Sequence, residues 1–167
     1  MPSAVPTTNA RIYVDKSNGH DTGIALVNPG NAASGVTVKA YQTDGVTSIG
    51  TSQTVNVAGG GHKAAFAGEL VSGLPTGFKG VAEISSTSPF VALTLRSLTN
   101  SRGDTLLTAL PVADPSQTAP SPIVFPQIAD GAGFTTQFVF ISASGPASVS
   151  VSFARDDGTP LSIGLNR

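Results

Sequence analysis

"VTVKAYQTDG" (residues 36–45) is the stretch whose reading decides the fold. Val36, Val38 and Ala40 alternate with Thr37, Lys39 and Tyr41, the period of a strand with one face inward and one in water. Asp44-Gly45 follows as a hairpin turn, because Gly takes positive φ without strain and Asp tolerates it. The phrase then returns near the end of the chain. "VSVSFARDDG" (149–158) repeats Val, Val, Asp and Gly at matched positions, with the apolar residues in step. Extended backwards, "DTGIALVNPGNAASGVTVKAYQTDG" (21–45) lies against "TTQFVFISASGPASVSVSFARDDG" (135–158) with one residue of slack in the loop. Each copy reads as strand, small-residue turn, alternating strand and Asp-Gly.

Working outward, strand signals recur between turn residues: 11–15, 22–28, 35–43, 48–57, 78–86, 89–99 and 104–112. One short helix is expected near 66–72, where Phe66 and Leu70 are spaced for a helix and Gly73 and Pro75 stop it. Residues 113–122 carry three prolines and no large apolar residue, and read as a linker or a surface crossing. Strands are expected again at 123–128, 135–142, 147–155 and 160–165. The reading is therefore an N-terminal linker (1–9), a complete β-module (10–112), the linker (113–122), and a partial second copy (123–167) packed on the first. The fold class is all-β: a two-sheet antiparallel β-sandwich with Greek-key connections and one short helix. Val36, Val38 and Ala40 should share an inner face with Val91, Leu93 and Leu95, and Val149, Val151 and Phe153 should face inward in the second copy.

Composition narrows the function. The 167 residues contain no cysteine, so disulfides and Cys-ligated metals are excluded. Charged residues make up 11%, against a norm of about 25%. Net charge is −1 and the basic residues are scattered, which argues against a nucleic-acid partner. No apolar run has the length of a membrane helix, so membrane insertion is not expected. "MPSAVPTTNA" has neither a basic n-region nor an apolar h-region. Low charge with abundant Ser and Thr fits an extracellular or cell-surface β-protein.

"TGIALVNPG", "GGHKAAFAGELVSGLPTGFKG", "SPFVALTLR", "LLTALPV" and "FPQIADGAGFTTQFVFI" together resemble a module recurring in large secreted and surface proteins of environmental bacteria. The similarity covers most of residues 10–165, and the second copy departs from the pattern by its shortness. The resemblance implies an extracellular immunoglobulin-like β-sandwich, usually in tandem. It brings no catalytic residues with it.

Candidate sites were weighed against turn chemistry. Arg102, Gly103 and Asp104 spell the integrin-binding tripeptide and form a candidate adhesion turn, though Gly and Asp also simply turn a chain. His20 and His62 are the only histidines, and no nucleophile elbow accompanies them. Asp156-Asp157 and "ADGAG" (129–133) lack the ligand spacing of a calcium loop. Tyr13 and Tyr41 are the only tyrosines and there is no Trp, a thin set for stacking on sugars. No catalytic residue, cofactor or metal is assigned. The expected function is a non-catalytic structural module: a spacer, a surface-layer or filament building block, or an adhesion stalk. Its expected partners are neighbouring copies, with surface polysaccharide as a further candidate. The alternatives are a carbohydrate-binding accessory module of a secreted hydrolase and, more weakly, a hydrolase.

Overall fold

The computed structural model describes residues 5–118, 120–129, 131–143 and 147–164. The class is all-β. β1 (Thr7–Asp15), β2 (His20–Val27), β3 (Ser34–Tyr41) and β4 (Ser48–Val57) come first. β5 (His62–Phe66), a single helical turn α1 (Ala67–Leu70) and β6 (Val71–Ser72) follow, then β7 (Lys79–Thr99) and β8 (Thr105–Leu110). Two short strands, β9 (Phe153–Ala154) and β10 (Pro160–Leu161), complete the list among the described residues. No helix among those residues is long and apolar enough to cross a membrane.

β7 organises everything else. Its first half pairs antiparallel with β1 on one side and β3 on the other. Its second half pairs with β2 and β8. β4 extends the sheet from β3, and β5 extends it from β2. The sheet curls on itself, because both ends of β7 return to one place. Asp15 lies opposite Lys79 in the β1–β7 ladder and also holds Arg96, near the other end of the strand. The β1–β2 turn bridges the same two ends: Lys16 N–H donates to the Phe78 carbonyl and Thr99 N–H to the Gly19 carbonyl. The bend falls where Ser86-Thr87-Ser88-Pro89 interrupts the apolar alternation. Pro89 there has no N–H to give to a ladder.

The core lies inside this curl. Ala10, Ile12 and Val14 of β1 meet Ile24 and Leu26 of β2, Val36 and Val38 of β3, and Ile84 and Phe90 of β7. Leu70 and Val71, from α1 and its exit, seal one end. The expected inner face of β3 is therefore found as read: Val36, Val38 and Ala40 are all buried.

Four expectations change. Residues 78–86 and 89–99 are one strand, not two, with a bend between them. The inner positions of its second half are Phe90, Ala92 and Thr94, while Val91, Leu93 and Leu95 lie half-buried on the outer side. The alternation runs through the bend without a slip, so the even positions that face inward at Ala82 and Ile84 stay inward. Side-chain size pointed the other way, because the large Phe90 fills the space that small Ala92 leaves. β1 begins at Thr7, inside the stretch read as a linker, and the helix is shorter than 66–72.

The largest change concerns the second copy. Among its described residues only β9 and β10 form strands, where four were expected. Leu165 lies outside the described residues. Val149 and Val151 are exposed instead of facing inward, and Phe153 is half-buried. Alternation belongs to the residues themselves, but a strand also needs a neighbour to bond to and a surface to cover its apolar side. The first copy has both, from β7 and β1. The described part of the second copy has only the two-residue β9–β10 pair, and Val149 and Val151 stay exposed beside it. It touches the first through Arg11, whose guanidinium donates to the Ser142 carbonyl at 2.9 Å, and through a Tyr13–Gln137 hydrogen bond.

Candidate functional site

The Arg-Gly-Asp turn joins β7 to β8. Gly103 sits at φ +85°, a left-handed conformation that favours glycine. Asn100 braces the loop: its Oδ1 accepts the N–H groups of Arg102 and Asp104, each at 2.9 Å, and its Nδ2 donates to the Asp104 carboxylate. Arg102 and Asp104 are exposed, and Arg102 Nε lies 3.2 Å from Asp104 Oδ2. The two charges an adhesion receptor would read are thus paired with each other across the tip. Screening by water keeps such a pair weak, so the turn can open to a partner at little cost.

The strongest electrostatic feature lies elsewhere, and the sequence reading did not single it out. Asp15 is fully buried at the end of β1. Its Oδ1 accepts the Ser17 N–H at 3.0 Å and the Ser17 hydroxyl at 2.6 Å, and its Oδ2 accepts Arg96 NH2 at 2.6 Å. Its backbone N–H donates to the Thr22 hydroxyl at 2.9 Å. Burial pushes the Asp15 pKa up. The Ser17 hydroxyl, the Arg96 guanidinium and the Ser17 N–H together outweigh it and hold the carboxyl below its ordinary value. Burial, then the Asp15 charge, push the Tyr13 phenol up, against the Gln137 hydrogen bond and the Arg96 charge. The available signal was an Asp closing an alternating run with a Ser two residues on, the pattern of a side chain that bonds its own turn. With every oxygen engaged, Asp15 is built to hold strands together.

An open, shallow cleft beside this cluster is lined by Lys16, Asn18, Gly19, His20, Asp21 and Thr76. It gathers three titratable side chains. Lys16 faces Asp21 at 3.7 Å, and His20 Nδ1 lies 3.2 Å from the Ser97 carbonyl oxygen, to which it can only donate. A Ser–His–acid relay needs the imidazole between a nucleophile and a carboxylate; here it lies against a backbone carbonyl. His62 opens β5 opposite Val27 and is exposed. The structure does not bring the two histidines together.

Asp44 and Asp157 occupy equivalent turns in the two copies and behave alike. The Thr47 hydroxyl and N–H, and the Val46 N–H, hold the Asp44 carboxyl below its ordinary value. The Thr159 hydroxyl and N–H do the same for Asp157. These are turn-closing bonds. A second open cleft, lined by residues that include Gln127, Arg155, Asp156 and Asp157, lies over this turn. Among the described residues no three His, Cys, Asp or Glu side chains come together as a metal site.

Four phenylalanines of the second copy, Phe125, Phe138, Phe140 and Phe153, form a cluster. Phe138 packs edge-on against Phe125 at 5.1 Å between ring centroids, and lies 6.3 Å from both Phe140 and Phe153. Phe134 and Phe140 remain 68% and 49% exposed.

Comparison with protein-family models, with curated proteins and with solved structures returned no match.

Proposed function

We propose that this chain is a non-catalytic extracellular structural module, a spacer, stalk or building block of a surface layer or filament. Its curled sheet is read as an immunoglobulin-like two-sheet sandwich of the tandem type that its sequence phrases resemble. The observation that carries the proposal is the bonding of β7. One strand of 21 residues is paired along most of its length and zipped on both sides at residues 81–85, by β1 and β3, and at residues 94–98, by β2 and β8. Its two ends are tied to one turn through Asp15. Such a strand can come out only if several ladders shear together, which suits a part that carries load. The charge-poor, Ser/Thr-rich composition supports an extracellular setting.

Single-molecule pulling on a tandem array of this chain tests the reading. The expected result is one cooperative, high-force unfolding event per copy. Gradual extension at low force contradicts a load-bearing role. Hydrolysis of ester or glycoside substrates that is lost in His20→Ala or His62→Ala overturns the non-catalytic reading altogether.

A second reading is favoured by one observation. Phe134 and Phe140 stand exposed on an uncharged segment, and exposed rings can stack on sugars. Retention on insoluble polysaccharide that is lost in Phe134→Ala would move the function to a carbohydrate-binding accessory module.

A further inference from the structure

The two halves of the curled sheet present different outer surfaces. Over β3 and β4 the outer positions are polar: Thr37 and Lys39 face water, and the Thr37 and Thr54 hydroxyls bond at 2.8 Å across the pair. This is the alternation expected of an antiparallel sheet with one wet face. Over β5, β2, β7 and β8 it fails. The ladder registers set Phe66, Gly23, Leu95 and Ala109 side by side, then Ala64, Ala25 and Leu93, then His62, Val27 and Val91. No charged side chain stands in those positions. The opposite face of the same strands holds Ile24, Leu26, Phe90 and Ala92 in the core. Strands apolar on both faces are those that are covered on both, yet here Val27 is 40%, Phe66 46% and Leu107 64% exposed. Small Ala25 and Ala64 beside the larger Leu93 and Leu95 leave a shallow trough, whose Gly23 end the Phe66 ring already covers.

The phenylalanine cluster of the second copy has the matching property. By the internal repeat, Phe138, Phe140, Val149 and Val151 correspond to Ile24, Leu26, Val36 and Val38. All four first-copy residues are sealed in the core, whereas Phe140, Val149 and Val151 stand exposed. The charges have gone as well: Asp21 and Lys39 correspond to Thr135 and Ser152, and no charged residue occurs from Gly131 to Ala154. Charges on unpaired strands are what ordinarily prevents association. Each chain therefore carries an apolar outer sheet face, charged only at Asp21 in the row of Ser97 and Leu107, and an uncharged segment of exposed rings.

We propose that the cover for each comes from a second copy of this chain, with the phenylalanine face of one molecule seated on the outer face of β5–β2–β7–β8 of the next. Because the two surfaces differ, the contact is head-to-tail, does not close, and propagates as a filament. The inference rests on the structural-module reading and supplies its partner.

Two double variants at exposed positions test it by analytical ultracentrifugation. Val27→Lys with Leu107→Lys blocks the trough, and Phe134→Lys with Phe140→Lys blocks the rings. The intact chain should form species that lengthen with concentration. Each variant alone should stay monomeric with an unchanged β circular dichroism spectrum. An equimolar mixture should give a heterodimer and nothing longer, because one good junction remains. An intact chain that is monomeric at every concentration, a correctly folded variant that still associates, or a mixture that stays monomeric overturns the contact. Those outcomes leave the spacer reading standing, whereas sugar retention or turnover removes that reading itself.

Discussion

Asp15 shows how much of this fold depends on one carboxylate. It is sealed from water, and its partners come from its own turn and from β7. Because its pKa is lower folded than unfolded, its contribution is complete above the ordinary carboxylate value of about 3.9 and disappears as pH falls through the folded value. Asp15→Asn leaves Arg96 without its counter-ion. Removing one partner of a buried pair costs about 3–5 kcal/mol, and the 26% exposure of the Arg96 side chain lowers that to about 2–4 kcal/mol here. Urea unfolding at pH 7 should show the loss, and the gap between the two proteins should narrow as the pH falls through the lowered pKa of folded Asp15. Gly80 is a steric counterpart. A Cβ there would meet the Tyr41 carbonyl oxygen and the Phe78 ring, so Gly80→Ala should cost about 1–3 kcal/mol in thermal unfolding. The sequence marked Gly80 not at all, and Asp15 only as an Asp-x-Ser at the end of an alternating run. A lone Asp and a lone Gly carry no period, and their importance arises only when β7 curls back beside them.

At the scale of the elements, legibility followed the turns. β2, β3, β4 and β8 lie close to where alternation and Asp-Gly or Pro-Gly punctuation placed them. β7 is one strand where two were expected, because the chain bends at Ser86–Pro89 and continues, and alternation alone does not say which of its two faces is inward. The register makes a sharp test. Ile84 is fully buried and Leu93 lies on the outer side. Ile84→Ala should cost about 2–5 kcal/mol, as for a filled core site. Leu93→Ala should cost clearly less, about 1 kcal/mol, because part of its surface is already in water. Equal losses in chemical denaturation would mean that the strand is turned over. That residues 101–104 turn the chain was legible in the sequence, since Gly103 takes a positive φ and Asn100 accepts the Asp104 N–H. The turn's internal Arg102–Asp104 pairing was not, because it depends on how Asn100 braces the loop.

For the whole molecule, two similar phrases led to an expected second set of strands of which only β9 and β10 form among the described residues. The two phrases are similar in sequence but differ in cover. Every fully buried core residue lies between Ala10 and Ala92 among the described residues, with Val112 packed against that core. A fragment of residues 1–118 should therefore keep its β circular dichroism and a cooperative unfolding transition, although it loses the ties from Arg11 to Ser142 and from Tyr13 to Gln137. An unfolded fragment would show that the second copy completes the first. The measurement that tests the central claim most directly is amide hydrogen exchange of the intact chain, read peptide by peptide at low and high protein concentration. The account predicts slow exchange along β7 at both concentrations. Residues 135–143 and 147–154 should exchange fast in dilute solution and become protected as concentration rises. Protection of those segments that is already complete in dilute solution, or absent at every concentration, would contradict it.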